Sequence, residues 1–445
     1  MRAPCSTSSC GGSMLDAVVV GAGPAGAAAA LSLAQAGRDV VLLERGPFPG
    51  AKNVYGGVVY GRVLDAVVPR WWEEVPVERW VVRRSTAVLT ETQALTVDFR
   101  TQAWGEAPYN GMTTYRARFD SWLADKAVEA GARLVTSTVA TSLLRDARGR
   151  VAGVRTDRPG GDLPARVVIA CDGVNSFLAK EAGLLPRADA ARHTLGVKEV
   201  LSLPREAIDE RFGLHGDEGL DLEILGGTLG IPGGGFLYTG ADTLAVGAVL
   251  SLPHLAKARI RPEQVVAALK RHPAIAPYVR GGELLEYSAH LIPEGGYDAL
   301  PAKLALDGLL VAGDAAGLAL ATGLWLEGVN FAIGSGLAAG RAAAAALERG
   351  DVSERALASY RRALESDFVL RDHKRLRRAP ELVLSQRIQQ RYPGLICDLV
   401  EGAFTVTNPT PKPGLGRLAR RTAARHGLRL RELASDGLKA ARAFR

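Results

Sequence analysis

The sequence is poor in the residues that hold metal clusters and covalent staples. Its 445 residues include only four cysteines and seven histidines. Cys5, Cys10, Cys171 and Cys397 form no Cys-x-x-Cys pair, and the histidines show no ligand-like pairing. That pattern excludes a cysteine-held cluster and a redox disulfide, speaks against zinc, and suits a reducing compartment. No metal is expected. Charge of one sign is not in great excess either: 55 Lys and Arg against 47 Asp and Glu leave +8, with the C-terminal end markedly basic. At 47% hydrophobic and 23% charged, the chain is an ordinary folded protein with room for two or three domains. Long apolar runs are missing too. The uncharged stretch 17–37 has the length of a membrane span, but three glycines, Pro24, Ser32 and Gln35 break it into smaller elements. The chain reads as soluble or peripheral. Residues 1–13 lack the apolar centre of a signal peptide and read as a disordered leader, with Met14 as an alternative start.

What is present begins at residue 15. An apolar run, Ala17–Val20, stops at Gly21-Ala-Gly23-Pro24-Ala25-Gly26. A small-residue helix pattern follows, and a second apolar run, Val40–Leu43, ends in Glu44 and Arg45. Strand, glycine turn, helix, strand and acid in that order form the dinucleotide-binding fingerprint. Gly21 permits the tight turn, Gly23 lets backbone approach a pyrophosphate, and Gly26 allows close helix–strand packing. The helix start presents unpaired amides and positive potential to phosphates, and Glu44 stands near the spacing of a ribose-binding acid.

Further along, residues 45–61 are rich in Gly and Pro and predict a loop holding Lys52, Asn53, Gly56 and Gly57. Trp71, Trp72 and Trp80 read as packing residues. Arg116 and Asp120 lie four apart at the head of a helix closed by Gly131. Arg116 suits either that helix pair or cofactor phosphates, where a planar fork grips two oxygens. Strands are predicted over 134–135, 138–144, 151–154 and 167–169, with Val139 at the start of the second. The last ends at Asp172-Gly173, a turn before a helix. Residues 185–295 change texture, with short alternating runs and a glycine-dense loop at 226–235. A buried strand then ends at Gly313-Asp314, and an Ala-rich helix follows. Residues 351–445 are helical and Arg-rich, interrupted at 408–414.

Taken together, the fingerprint with Glu44, Arg116, Asp172-Gly173 and Gly313-Asp314 resembles the glutathione-reductase-type flavoproteins of the hydroxylase branch. KNVYGGVVYG at 52–61, GGGFLYTGADTLAVG at 233–247 and the stretch 313–339 narrow the likeness. They resemble the FixC proteins, relatives of electron-transfer flavoprotein–quinone oxidoreductase. Two departures stand out: the family more often reads KNxTGG in the first motif, and Ala where Cys171 lies. The resemblance implies an α/β fold: a Rossmann-like FAD-binding domain, an inserted, mainly antiparallel quinone-facing sheet, and a helical C-terminal region. It places the FAD domain at 14–180, with an excursion at about 60–110, and at 300–350. The quinone domain is then 185–295 and the helical region 351–445.

The same resemblance assigns cofactor contacts to Gly21, Gly23, Pro24, Ala25, Gly26, Glu44, Arg45, Gly56, Gly57, Arg116, Val139, Asp172, Gly173, Gly313, Asp314, Thr322 and Gly323. A helix N-terminus at Thr322–Gly323 would steady negative charge on the reduced flavin, a role that shares its geometry with a plain cap. Gly233, Gly234, Gly235 and Phe236 would line a quinone pocket or else form only a tight hairpin. No side-chain acid, base or nucleophile is required, because the flavin carries the redox step. The implied role is to accept electrons from the α and β subunits of an electron-transfer flavoprotein and to pass them to a quinone. A small ferredoxin-like iron–sulfur subunit would accompany the chain, since only Cys397 lies in the C-terminal region. Contact with the inner face of the cytoplasmic membrane is expected, and no nucleic acid. The basic segments 371–378 and 417–445 suit either an acidic partner or anionic lipid. Rival readings are a geranylgeranyl-reductase-like enzyme, a monooxygenase or halogenase, and a non-catalytic relay subunit.

Overall fold

A computed structural model describes residues 14–52, 56–186, 190–323 and 326–445. The leader 1–13 and Asn53 lie outside the described residues. Two sheets dominate. In the first, the parallel strands Arg133–Val135, Val40–Leu43, Leu15–Val20, Asp162–Ala170 and Leu309–Val311 lie side by side in that order. Such a sheet is covered on both faces, which is why Ala17, Val18 and Val19 are wholly buried and the strand reads as an unbroken apolar run. The hairpin 140–156 forms a wing off this sheet.

The helix Pro24–Gln35 is buried from Pro24 to Ala34. It lies against the helix Val329–Glu348, nearly backbone to backbone. A Cβ on Gly336 would stand 2.1 Å from the Ala25 carbonyl oxygen, and one on Gly340 2.6 Å from that of Ala29. Small residues dominate both helices because larger ones would push them apart. Trp71 is fully buried and Trp72 and Trp80 half-buried, as packing residues should be.

The second sheet runs, in spatial order, through Glu283–Ile292, Thr194–Ser202, Thr243–Ser251, Gly233–Thr239, Glu218–Gly226, Arg79–Leu89, Met112–Tyr115 and Gly56–Val59. Its pairings are antiparallel apart from Glu218–Gly226 with Arg79–Leu89. One face is aliphatic: Leu220, Leu222, Ile224, Leu237 and Val246 pack on Val265 and Leu269 of the helix Pro262–Arg271. Period-two alternation turns Asp221, Glu223, Arg84 and Lys198 to the other face.

Two stretches expected as loops are strands. Gly56–Val59 pairs with Met112–Tyr115, and Gly233–Gly235 belongs to the Gly233–Thr239 strand between two neighbours. Glycine lowers intrinsic strand preference, but ladders on both sides override it. Close approach explains the residue type: a Cβ on Gly233 would stand 2.0 Å from the Val249 carbonyl oxygen. The last part of the chain is helical, from Glu354–Leu357 to Leu430–Ala443. It ties the sheets together. Tyr360 donates from its hydroxyl to the Val311 carbonyl (3.0 Å), and Gln389 Oε1 accepts from the Gly233 amide (3.1 Å).

Candidate functional site

The strand Leu15–Val20 runs into Gly21, whose φ is +97° and whose Cβ would lie 2.4 Å from the Cys171 carbonyl oxygen. A Cβ on Gly26 would stand 1.8 Å from the Gly21 carbonyl oxygen. Internal packing therefore demands glycine at both positions. Gly23 is different. The nearest atom to a Cβ there is Arg116 Nη2, 3.7 Å away, so the protein leaves open space. That space faces the first turn of Pro24–Gln35, where Ala25 and Gly26 follow a proline and no side chain caps the helix. Room, orphan amides and a fixed guanidinium fit the pyrophosphate of a dinucleotide.

Glu44 is buried at the end of Val40–Leu43. Its Oε2 accepts from the Ala22 amide (3.1 Å) and its Oε1 from the Gly46 amide (2.7 Å), which pins the carboxylate beside the glycine turn. Arg45 next to it is exposed. Val139 offers only its side chain, because its amide and carbonyl are both engaged by Asp157 at 3.0 Å.

Arg116 opens the helix Arg116–Glu129 and forms the expected pair with buried Asp120, Nε to Oδ1 at 2.6 Å and Nη2 to Oδ2 at 2.8 Å. The pair does not preclude phosphate contact, since the same guanidinium borders the space at Gly23. Its field also reaches Asp314. Burial pushes the Asp314 carboxyl up, against the opposing pull of Arg116. No donor among the described residues reaches that carboxylate, which suits it to hydroxyls brought by a ligand. Gly313, at φ +64°, packs on Ala25 and donates its amide to Ser335 Oγ (3.0 Å). Asp172 is otherwise employed. Its carboxylate accepts from Ser176 Oγ (2.7 Å) and the Leu178 amide (3.2 Å), holding the short helix Phe177–Glu181 beyond the Gly173 turn.

Thr322 and Gly323 do not start a helix. Ala321 pairs with Leu326 in a two-stranded ribbon, so Thr322 and Gly323 lie at its tip, and the helix begins only at Val329. The ribbon borders a cavity of about 100 Å³. Gly233, Gly234, Gly235 and Phe236 form one wall, Ala321 and Gly323 another, and Pro380, Val383 and Leu384 a third. Gly56 and Gly57 are not among its lining residues; they sit in the strand at the far edge of the sheet. Sequence reasoning missed Glu223 and Glu294, which also line the cavity. The alternation of acids and aliphatics in Glu218–Gly226, EGLDLEILG, carries that signal for Glu223.

Among the described residues, no three His, Cys, Asp or Glu are grouped to hold a metal ion, and no helix is long and apolar enough to cross a membrane.

The glycine turn, the buried Glu44 and the Arg116 guanidinium fit a dinucleotide, and the class of protein that the comparisons define is an FAD-binding oxidoreductase. An FAD binding domain family model matches residues 14–209. A probable electron transfer flavoprotein-quinone oxidoreductase, YdiS of Escherichia coli strain K12, is 40% identical over 96% of this chain and 99% of its own. Protein FixC of Rhizobium meliloti strain 1021 is likewise 40% identical, over 97% of this chain and 99% of its own. Among solved structures, a geranylgeranyl bacteriochlorophyll reductase-like protein from Thermoplasma acidophilum aligns with a TM-score of 0.71 at 20% identity. That alignment covers 95% of this chain and 99% of the other, and the likeness is one of fold. This chain belongs to the family of FixC and the electron transfer flavoprotein-quinone oxidoreductase homologue YdiS, and it is an FAD-binding oxidoreductase.

Proposed function

We propose that this chain accepts electrons from an electron-transfer flavoprotein and passes them to a membrane quinone, alongside a small ferredoxin-like iron–sulfur subunit. The observation that carries this reading is the apolar cavity between the Gly233–Phe236 strand and the Ala321–Gly323 turn, a few residues beyond Asp314. In this reading Gly21 to Gly26 and Arg116 hold the FAD pyrophosphate, Glu44 a ribose, and Asp314 the ribityl hydroxyls. Residues 14–180 and 300–350 then form the FAD unit, 185–295 with about 60–110 the quinone-facing unit, and 351–445 the helical closure. FAD, when bound, supplies the electron transfer itself. The chain's own residues orient it, keep water from it, and present the acceptor. Being in a ladder, Gly233–Gly235 serve the acceptor as a flat backbone wall more than as amide donors, while Phe236 offers apolar surface.

The basic end of the chain fits an anionic lipid surface. Phe404, Val406 and Leu415 are exposed at the tip of the hairpin formed by Gln386–Phe404 and Leu415–Arg425, with Arg417, Arg420 and Arg421 beside them. Apolar tips flanked by arginines are what a membrane interface binds. In the segment 371–378, by contrast, Arg375 and Arg377 are bonded to the Arg445 carbonyl and to Asp298.

The test is anaerobic reduction of the holoprotein by an electron-transfer flavoprotein, followed by addition of quinone, with quinol as the expected product. A saturated prenyl lipid as product supports a prenyl-chain reductase instead, and no turnover by the isolated chain a relay subunit. Gly234→Val is not a clean probe, since its Cβ would press on the Ile224 carbonyl oxygen at 2.8 Å. Val383→Phe, filling the cavity from the helical side, should slow quinone reduction about tenfold with FAD content unchanged, a misfit of this size costing about 1–3 kcal/mol.

A further inference from the structure

The cavity is mostly apolar, yet two carboxyls stand in its wall. Glu223 comes from the Glu218–Gly226 strand, and Glu294 follows the Glu283–Ile292 strand. Register places Thr86, Glu223 and Phe236 in one cross-strand row, on the face turned away from the aliphatic core. Glu294 is only 6% exposed; its Oε2 accepts from Thr194 Oγ1 (2.8 Å), while its Oε1 is buried without a hydrogen-bond partner. No donor among the described residues reaches the Glu223 carboxyl. Arg84, bonded through Nε to Asp221 Oδ2 at 2.9 Å, pulls the Glu223 carboxyl down but does not outweigh burial. The charges of Asp221 and Glu294 push the Glu223 carboxyl further up, Tyr60 senses both Glu223 and Glu327, and the helical wall of Pro380, Val383 and Leu384 adds no charge.

We infer that Glu223 and Glu294 are the acids that deliver protons to a quinone reduced in this cavity. The inference rests on the quinone reading above. A quinone becomes a quinol by taking two electrons, here from the reduced flavin, and two protons. The two O–H bonds formed on its oxygens replace the two broken at Glu223 and Glu294, and the proton that a reduced flavin would shed on giving up its electrons would pass to bulk water. After the quinol leaves, bulk water returns a proton to each carboxylate. An apolar wall suits this task, since a neutral acid adds no net charge where charge is costly and meets a developing oxyanion directly. Burial supplies the protonation state. It raises the Glu294 carboxyl to about 7 and raises Glu223 well above the ordinary carboxylate range, with the Asp221 charge adding to the effect. Both acids therefore carry a proton near neutral pH in a large fraction of molecules.

Glu223→Gln, Glu294→Gln and the double variant test the inference, because glutamine keeps the shape and removes the transferable proton. With a short-chain quinone, the double variant should lose about a hundredfold in quinol formation, the usual scale for a general acid. FAD content and flavin reduction by the donor should stay at wild-type levels. The wild-type rate should fall between about pH 6 and about pH 9, and that fall should vanish in the double variant. Infrared difference spectra with a redox-inert quinone analogue give a readout apart from turnover. A protonated-carboxyl band should shift on binding in the wild type and be missing from the double variant. A wild type that forms quinol, with a double variant equal to it within a factor of about two and sharing its pH profile, overturns the inference. A wild type that takes electrons yet never forms quinol overturns the quinone reading and this inference with it.

Discussion

Arg116 Nη2 lies 3.7 Å from the point where Gly23 would carry a Cβ, and the same nitrogen is bonded to Asp120. The glycine turn and the head of a helix almost a hundred residues later thus face one another across a gap. Asp120 is fully buried and fixes the fork of Arg116, so the cation cannot swing away from that gap. Arg116→Lys keeps the charge but not the two-pronged grip. FAD should bind at least about tenfold more weakly, since a charge-assisted hydrogen bond contributes about 1.5–3 kcal/mol. Equilibrium titration of apoprotein with FAD measures this, and unchanged affinity would remove Arg116 from the phosphate site.

Gly23 and Gly26 should fail in different ways. Gly26→Val drives atoms into the Gly21 carbonyl and should prevent a stable fold. Gly23→Val meets no protein atom closer than Arg116 and should give a folded, colourless protein. Circular dichroism with flavin absorbance separates the outcomes. A yellow Gly23→Val protein would count against the cradle.

Glu294 should make stability depend on pH. Its carboxyl is raised from 4.5 to about 7 by burial. Its stabilising contribution is therefore full below about pH 4.5 and is lost as pH climbs through about 7, by up to about 1.4 kcal/mol per unit. Glu294→Gln lacks that loss. Its melting temperature relative to wild type should rise from about pH 5 to about pH 8; a constant difference would show that Glu294 titrates normally.

Charge reversal at Arg417, Arg420 and Arg421 probes the C-terminal hairpin better than truncation. Deleting the last two helices would uncover Leu395 and Tyr392, which pack on Ala423, Leu428 and Leu433. The triple Arg→Glu variant should sediment less with anionic vesicles, each arginine near the surface contributing about 1 kcal/mol. It should leave FAD content untouched. Retained vesicle binding, with loss of a ferredoxin-like partner instead, would move this face to protein docking.

The dinucleotide fingerprint was legible because its chemistry is local. Turn, helix start and acid fall within thirty residues, and the structure brings them together at one end of the first sheet. Arg116 and Asp314 were legible as residues but not as neighbours, because only the fold brings the first helix, Arg116 and the Gly313 turn together. The glycine strand escapes the sequence for a physical reason: a run of glycines carries no local strand preference, and only pairing with the strands on either side of it imposes one. Thr322 and Gly323 read as a helix start in the sequence because the ribbon Leu320–Ala321 with Leu326–Glu327 is too short to leave a pattern. Glu223 was visible in an alternating strand, yet its meaning depends on which face the core occupies.

The chain crosses between the two sheets repeatedly. Residues 15–43 build the first sheet, 56–115 the second, 133–170 the first again, 194–292 the second, and 305–311 return. The second sheet is complete only at residue 292, and the first only at residue 311. The Asp162–Ala170 strand waits for Leu309–Val311 to cover its open edge, so a ribosome must release some 140 further residues before that edge is sealed. During that interval the emerging chain carries an unpaired apolar strand edge, the kind of surface open to wrong pairing. The same weave ties the proposed cofactor site to a late segment, because the Gly23 turn and Asp314 come together only after Leu309–Val311 has paired with Asp162–Ala170.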